Sequence, residues 1–273
     1  MKQVAAAKIR RAEAAQKRAR PYAEALAEML ADLIAAVHSV DHPFMKRGRE
    51  GAPAGIILIT ADKGLAGAFN SNAVAAAEGF GRQQSSVKYY TIGTKARNAV
   101  RRLGIRDHQT WLLGAPSKIE TAREVARAAT DDFDQGKISE IVLVAQKLIS
   151  MMSQRPQTRK LVPILAEDLA SLGGGNRKDT PDRAQRAAIE FSSSPELVLS
   201  RLLPKFLEFT IYSAMLETDA AFFAAQLVAM TNATDNASKL IDELTIQMNN
   251  ARQAAITKEL LEIVAGAEAL GVA

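Results

Sequence analysis

Residues 204–270, PKFLEFTIYSAMLETDAAFFAAQLVAMTNATDNASKLIDELTIQMNNARQAAITKELLEIVAGAEAL, decide the architecture. After Pro204 the run contains no further proline and one glycine, Gly266, among Ala, Leu, Glu, Gln, Lys and scattered β-branched residues. A run of that length is associated with coiled coils, membrane spans or helical repeats rather than with an ordinary globular helix. Charges at Glu217, Asp219, Asp235, Lys239, Asp242, Glu243, Arg252 and Lys258 exclude a membrane span. Sixty residues of helix extend about 90 Å, more than a compact domain of this size. The helix therefore needs a partner outside its own core, and its length suggests a shaft.

The partner is sought at the other end of the chain. Met1–Val40 reads as a helix punctuated by Pro21, which is expected to kink it or relax its packing. Val4, Ala5, Ile9, Ala12 and Ala15/Ala19 form a narrow stripe of small residues. It widens to Leu26, Met29/Leu30 and Leu33/Ile34/Val37 at i, i+3, i+4 spacing. Lys2, Lys8, Arg10, Arg11, Lys17, Arg18 and Arg20 surround the stripe against Glu13 alone in the first twenty residues. The acid-poor, Arg- and Ala-rich start has the look of a transit peptide, but no cleavage-like region interrupts the helix. Two Ala-rich stripes at opposite ends of one chain suit an antiparallel two-helix coiled coil.

Between the ends the hydrophobic period changes. His38–Pro53 is polar and turn-rich, hence a loop. Gly55–Thr60 is a short apolar run fit for a buried strand, Val87–Ile92 a second strand and Glu140–Ala145 a strand buried on both faces; Thr110–Leu113 and Leu161–Leu165 are weaker candidates. Helical patterns cover Asn70–Phe80, Lys95–Leu103 and Ile119–Phe133. Strands alternating with helices argue for a small, mostly parallel, doubly wound α/β domain. Ala166–Asp182, with Gly173-Gly-Gly175, reads as exposed and mobile, and Ser194-Pro195-Glu196 leads into the final helix. The boundaries are residues 1–40 for the first helix, 54–195 for the globular domain and 204–273 for the last helix.

Composition narrows the function. The chain has 273 residues, 48% hydrophobic but only 5% aromatic, so its apolar mass is aliphatic and favours close helix packing. A formal charge of +5 fits an acidic partner or nucleic acid. Cysteine is absent, which excludes disulfides, thiolate metal sites and a cysteine nucleophile. The lack of a long apolar run or secretory segment predicts a soluble, cytoplasmic chain.

No catalytic constellation emerges. Asp62-Lys-Gly-Leu-Ala-Gly67 follows a strand and precedes a helix, where phosphate-binding loops also sit. Its G-x-x-G spacing is neither G-x-G-x-x-G nor G-x-x-x-x-G-K-[ST], so a tight turn is the expectation. His38, His42 and His108 lack ligand spacing, Asp131-Asp-Phe-Asp134 reads as a solvated helix end, and G-x-S-x-G is missing. No catalytic, cofactor or metal residue is assigned. In Asn249–Leu260, Arg252, Gln253 and Thr257 stand among small alanines, with Gln253 and Thr257 one turn apart. They form a polar ridge, either a solvated face or one that exchanges hydrogen bonds with a partner.

Three segments carry a resemblance. Ile59-Thr-Ala-Asp-Lys-Gly-Leu-Ala-Gly-Ala-Phe-Asn70 is similar to the ITSDRGLCGAFN segment of the γ subunit of F-type ATP synthases. Ala233-Thr-Asp-Asn-Ala237 and Ala251–Ala267 resemble that family's C-terminal signature. Val4–Arg11 and Arg20-Pro-Tyr22 resemble its N-terminal helix. The resemblance implies a non-catalytic central-stalk rotor of bacterial type. Its fold would be a long antiparallel coiled coil of the terminal helices plus a Rossmann-like α/β foot. The implied partners are the α and β subunits of an α3β3 hexamer, the ε subunit and the ring of c subunits, at the cytoplasmic face of the inner membrane, peripherally. No cofactor is implied. The family's contact with β carries over to Met1, Lys2, Arg252, Gln253 and Thr257. Its contact with the c-ring and ε carries over to Leu203, Pro204, Phe206 and Tyr212.

The chain also departs from the family pattern. Family members begin several helical turns upstream of the position of Met1, so either part of the usual N-terminal helix is missing and the far end of the shaft runs without its companion, or the start is assigned too late. Gln3 replaces a usual methionine and Ala66 a common cysteine. Phe222 and Gln226 replace the Glu and Arg of an S-E-x-A-A-R segment, removing an ion pair and bearing on coupling. The alternative reading is a nucleotide- or nucleic-acid-binding α/β protein with a basic helical arm.

Overall fold

Six consecutive buried residues, Ala54–Ile59, form β1 at the centre of the sheet. A strand buried on both faces needs cover on both, and the chain supplies it by alternation: β1, α2 (Phe69–Gly81), β2 (Val87–Ile92), α3 (Thr94–Arg102), β3 (His108–Trp111), α4 (Lys118–Asp134), β4 (Glu140–Ser150) and β5 (Ser153–Val162). This block is preceded by α1 (Lys2–Ala36) and a 3₁₀ turn at Pro43–Met45, and followed by α5 (Pro195–Gly271). The computed structural model describes residues 2–36, 42–46, 48–106, 108–164 and 195–271. His38 and the Gly-rich stretch 166–182 lie outside the described residues.

The sheet order is β3-β2-β1-β4-β5. β1 pairs parallel with β2 and β4, β2 pairs parallel with β3, and β4 pairs antiparallel with β5. Alternate residues of each strand serve different layers, as the period of two requires. Ile56, Leu58, Tyr89, Val142 and Val144 pack with Ala73, Ala77, Ala96 and Val100 of α2 and α3. Ile57, Ile59, Tyr90, Ile92, Ile141 and Leu143 face α4 and the terminal helices.

The terminal helices meet each other on that second face. Leu26, Ala27, Leu30 and Leu33 share one core with Leu199, Leu203, Leu207, Ile211 and Met215. The pairing is antiparallel: Lys8 sits 5.5 Å over the Phe223 ring, and the Tyr22 and Phe209 rings are 4.4 Å apart. Fourteen residues up α1 thus match fourteen down α5. Ala5, Ile9 and Ala12 on α1 and Ala220, Ala221 and Ala224 on α5 are buried where the stripes are narrowest. Helix α1 is continuous through Pro21; the proline removes one backbone hydrogen bond without ending it.

Three expectations change. The last helix begins at Pro195, with Pro204 inside it; proline suits a first helical turn because its missing N–H has no intrahelical partner there anyway. The sheet gains a long hairpin, since β4 continues to Ser150 and β5 begins at Ser153. Asp132 is not a solvated helix end. It is buried, accepts the Tyr90 hydroxyl at 2.6 Å, and pairs with Lys88 at 3.1 Å and Lys137 at 3.3 Å. Burial would raise its carboxyl pKa, but these three donors outweigh burial and hold it below the ordinary value. Asp132→Asn is expected to cost about 3 kcal/mol, because Lys88 would be left charged beside a neutral amide. The sign with pH follows. A depressed folded pKa stabilises above the unfolded value near 3.8 and is lost as pH falls toward the folded value. The gap between wild type and Asp132→Asn in urea unfolding should therefore narrow as pH drops below about 4.

The chain divides into two compact units, Met1–Val228 and Ala229–Ala273. The first holds the sheet, α1 to α4 and the core-packed part of α5. The second is helical throughout its described residues and mostly exposed, with Ala229, Met230, Thr231 and Asn249 half-buried.

Candidate functional site

In an open α/β sheet, ligands bind outside the carboxyl ends of the parallel strands, where the order reverses. Here that point lies between β1 and β4, and the chain's own residues fill it. Asp62, just after β1, accepts the Thr94 amide at 2.9 Å, the Thr94 hydroxyl at 3.2 Å and the Gly114 amide at 2.7 Å. One carboxylate thus ties together the loops that follow β1, β2 and β3. Asn70 accepts the Ala61 amide at 3.0 Å and donates to the Lys63 carbonyl at 3.3 Å, fixing the turn from within. Within Asp62–Gly67, positive φ occurs at Leu65 and Gly67. The segment is a turn, as its spacing suggested.

Beside it, Ala61, Ala66 and Phe69 pack on Ala221, Phe222 and Ala225 of α5, with the Phe69 and Phe222 rings edge to face at 5.8 Å. Gln146 of β4 closes this cluster, donating to the Phe69 carbonyl at 2.6 Å. Phe222, which stands where the resemblance expects Glu, is therefore a core residue joining the turn to the long helix. Asp219, three residues earlier, is held above the ordinary carboxylate pKa by burial, against the pull of Lys118 at 3.4 Å. The nucleotide reading loses its crevice to these groups.

The polar ridge lies in the second unit. Arg252, Gln253 and Thr257 are all exposed. So are Leu240, Ile241, Leu244, Met248, Ile256, Leu260 and Val264, at helical spacing. A surface helix normally buries such a stripe. Lys2 is exposed at the start of α1, as are Lys8, Arg10, Arg11, Lys17 and Arg18; Met1 lies outside the described residues.

The four foot residues separate. Leu203 and Phe206 are buried in the chain's own core, Pro204 is exposed and Tyr212 half-buried. The periodicity of α5 contained this signal, because Leu199, Leu203, Phe206 and Leu207 follow the core-facing stripe. Sequence reading missed the contact of Tyr22 with Phe209, whose rings are tilted by 54° with centroids 4.4 Å apart; Tyr212 continues the row 5.4 Å from Phe209. Glu208 beside them pairs with Arg123 and Lys205, each at 3.1 Å.

Among the described residues no acidic, His or Cys cluster could hold a metal ion, and no helix is long and apolar enough to cross a membrane. His42 accepts the Phe44 amide at 3.1 Å and is held below its ordinary pKa by burial, against the nearby Asp134 charge.

An ATP synthase family model matches residues 1–270. The ATP synthase gamma chain of Heliobacterium modesticaldum is 38% identical over 272 residues, covering 99% of this chain and 92% of the relative. That of Pelotomaculum thermopropionicum is 40% identical over the same shares. Among solved structures, the central stalk and c-ring of the Tetrahymena thermophila mitochondrial ATP synthase matches with a TM-score of 0.60 at 17% identity, over 86% of this chain and 97% of that one. The Euglena gracilis mitochondrial enzyme matches with a TM-score of 0.59 at 14% identity, over 98% and 94%. Sequence match across the whole length and the same fold agree: the chain belongs to the ATP synthase γ-chain family, the non-catalytic central-stalk rotor subunits.

Proposed function

We propose that the chain turns inside an α3β3 hexamer and carries torque between a c-ring and the nucleotide sites of three β subunits. The observation that carries this is the exposed helix Ala229–Gly271, whose apolar stripe and polar ridge occur in a chain 38% identical to a γ chain across 99% of its length. Arg252, Gln253 and Thr257 hydrogen-bond to β and release it as the shaft turns. The basic first turns of α1, with Met1 and Lys2, face acidic loops of β, where charge steers docking. At the foot, Pro204 and Tyr212 meet the c-ring and ε, while Leu203 and Phe206 brace them from the core. The chain works peripherally at the cytoplasmic face of a bacterial inner membrane.

The test is complementation. Expressed in bacterial cells lacking their own γ, the chain restores proton-driven ATP synthesis in membrane vesicles; vesicles that assemble the complex yet make no ATP would overturn the proposal. Arg252→Ala and Gln253→Ala each lower coupled synthesis several-fold. Because both residues are exposed, thermal stability of the isolated chain changes by no more than about 0.5 kcal/mol. A large stability loss would reassign the ridge to the fold.

A further inference from the structure

The β4–β5 hairpin outruns the sheet that carries it. β4 pairs with β1 only as far as Val144, yet its ladder with β5 continues to Ser150 opposite Ser153. Six residues of β4 therefore extend about 20 Å past its last partner in β1. The base is held: Leu148 packs against the Phe69 and Phe222 cluster, and its amide donates to the Glu217 carboxylate of α5. The turn satisfies its own polar groups. Ser150 Oγ accepts the Ser153 amide at 3.1 Å, and Gln154 Nε2 donates to the Ser150 and Met151 carbonyls at 3.2 and 2.9 Å.

What the tip offers outward is apolar. The two turn positions, where hairpins favour Asn, Asp and Gly, are Met151 and Met152. Met152 is 83% exposed, Ile149 57% and Met151 40%. Methionine is common at binding surfaces because its unbranched thioether adapts to the partner's shape. Below the tip the hairpin is basic. Ile141–Ile164 contains Lys147, Arg155, Arg159 and Lys160 but no Asp or Glu. Lys147 and Arg155 are both exposed and stand directly opposite each other in the ladder. Like charges in that arrangement destabilise a strand pair, so a carboxylate between them is wanted. Glu217 does not supply it, since its charge is shared among Lys147, Arg159 and Arg20. Pro156 and the cations of β5 guard its outer edge against a further strand, which leaves the tip as the contact.

We infer that this hairpin is a docking knob: Ile149, Met151 and Met152 enter an apolar socket on an acidic protein partner, and a carboxylate at the rim of that socket lies between Lys147 and Arg155. A lipid surface would also accept an apolar tip with a basic collar, but the tip is at the wrong end for one. Helix α5 rises alongside β4, with Phe206 lining one groove with Leu143 and Glu217 reaching Leu148. Pro204, the residue assigned to the c-ring, lies thirteen residues before Glu217, about 20 Å of helix away from the hairpin. The choice of protein over lipid rests on that rotor reading of the foot.

The chain has no cysteine, so Met152→Cys carries a single benzophenone at the tip. The labelled chain is assembled with purified α, β and ε subunits of a bacterial relative and irradiated, and the captured peptide is read by mass spectrometry. The expected capture is a segment of another subunit in which Asp or Glu flanks apolar residues. Arg155→Glu turns the repelling pair with Lys147 into an attracting one. The isolated chain therefore keeps its stability while cross-linking falls roughly tenfold. Arg106→Glu, exposed beside β3 at the other edge of the sheet, changes the yield less than roughly twofold. A complex that forms without a cross-link, capture of the chain itself or of a segment lacking carboxylates, or equal losses in the two variants would overturn the inference. In membrane vesicles holding the whole synthase, capture of lipid at Met152 replaces it with a membrane contact. If no complex forms, the rotor reading falls and the inference with it; cross-linking needs no ATP synthesis, so the two failures are told apart.

Discussion

Gly93→Ala is expected to abolish stable folding. Gly93 joins β2 to α3 at φ +103, a conformation that L side chains rarely adopt. Its amide donates to the Trp111 carbonyl at 2.8 Å, which ties it to β3. A Cβ built there falls 2.1 Å from the Thr60 carbonyl oxygen and 2.9 Å from Thr60 Oγ1. Neither neighbour can give. The Thr60 amide donates to the Ile92 carbonyl at 2.8 Å, and its hydroxyl accepts the Ala96 amide at 2.7 Å. The closest clash sets a Cβ, fixed in place by the main chain, against the Thr60 carbonyl, so no rotamer relieves it. A loss above about 4 kcal/mol follows, a large fraction of the 5–15 kcal/mol that typically separates folded from unfolded chains. Urea unfolding followed by circular dichroism measures it; a midpoint close to that of the wild type would show that the strand end can shift.

Phe222→Glu should be nearly as damaging, although the resemblance places Glu at this position. Phe222 is 4% exposed, packed on Phe69, Ala61, Ala66 and Ala225, with Phe223 5.3 Å away. Losing the ring costs about 3–5 kcal/mol through transfer and cavity terms. The new carboxylate would add its own desolvation cost. Gln226 lies one turn further along α5 and is half-buried, so Gln226→Arg can reach that carboxylate. The double variant is expected to recover about 1 kcal/mol relative to the sum of the singles. Chemical denaturation of all four members of the cycle gives the coupling energy directly. A coupling of zero would mean that the aromatic cluster replaced the charged pair without leaving room for it.

The elements legible in sequence were those whose pattern is local. β2 occupies the six residues expected of it, and β1 begins one residue earlier than expected, because short β-branched, aromatic and apolar runs between turn residues have few other readings. The β4–β5 hairpin was hidden. Beyond Ala145, β4 turns polar, and SQRPQTRKLV shows Pro156 and three cations without clean alternation. An edge strand tolerates proline and charge, and its pairing comes from β4 rather than from its own propensity. Asp132 misled because its chain neighbours are acidic while its partners, Lys88 and Tyr90, lie far back in sequence. Asp62 was visible as part of a motif, but its acceptor role depends on Thr94 and Gly114, which only the sheet order brings near. At the foot, Leu203 and Phe206 came from resemblance alone; their helical spacing already assigned them to the core.

The Asp62 carboxylate has a consequence for nucleotide binding by the sheet itself. A sheet of this order offers backbone amides at its crest, and an ATP phosphate would be a natural acceptor for them. Asp62 accepts the Thr94 and Gly114 amides permanently. The domain thereby carries its own anion at this point, supplied by a side chain. A nucleotide phosphate reaching this end of the sheet would find those two amides already taken by Asp62.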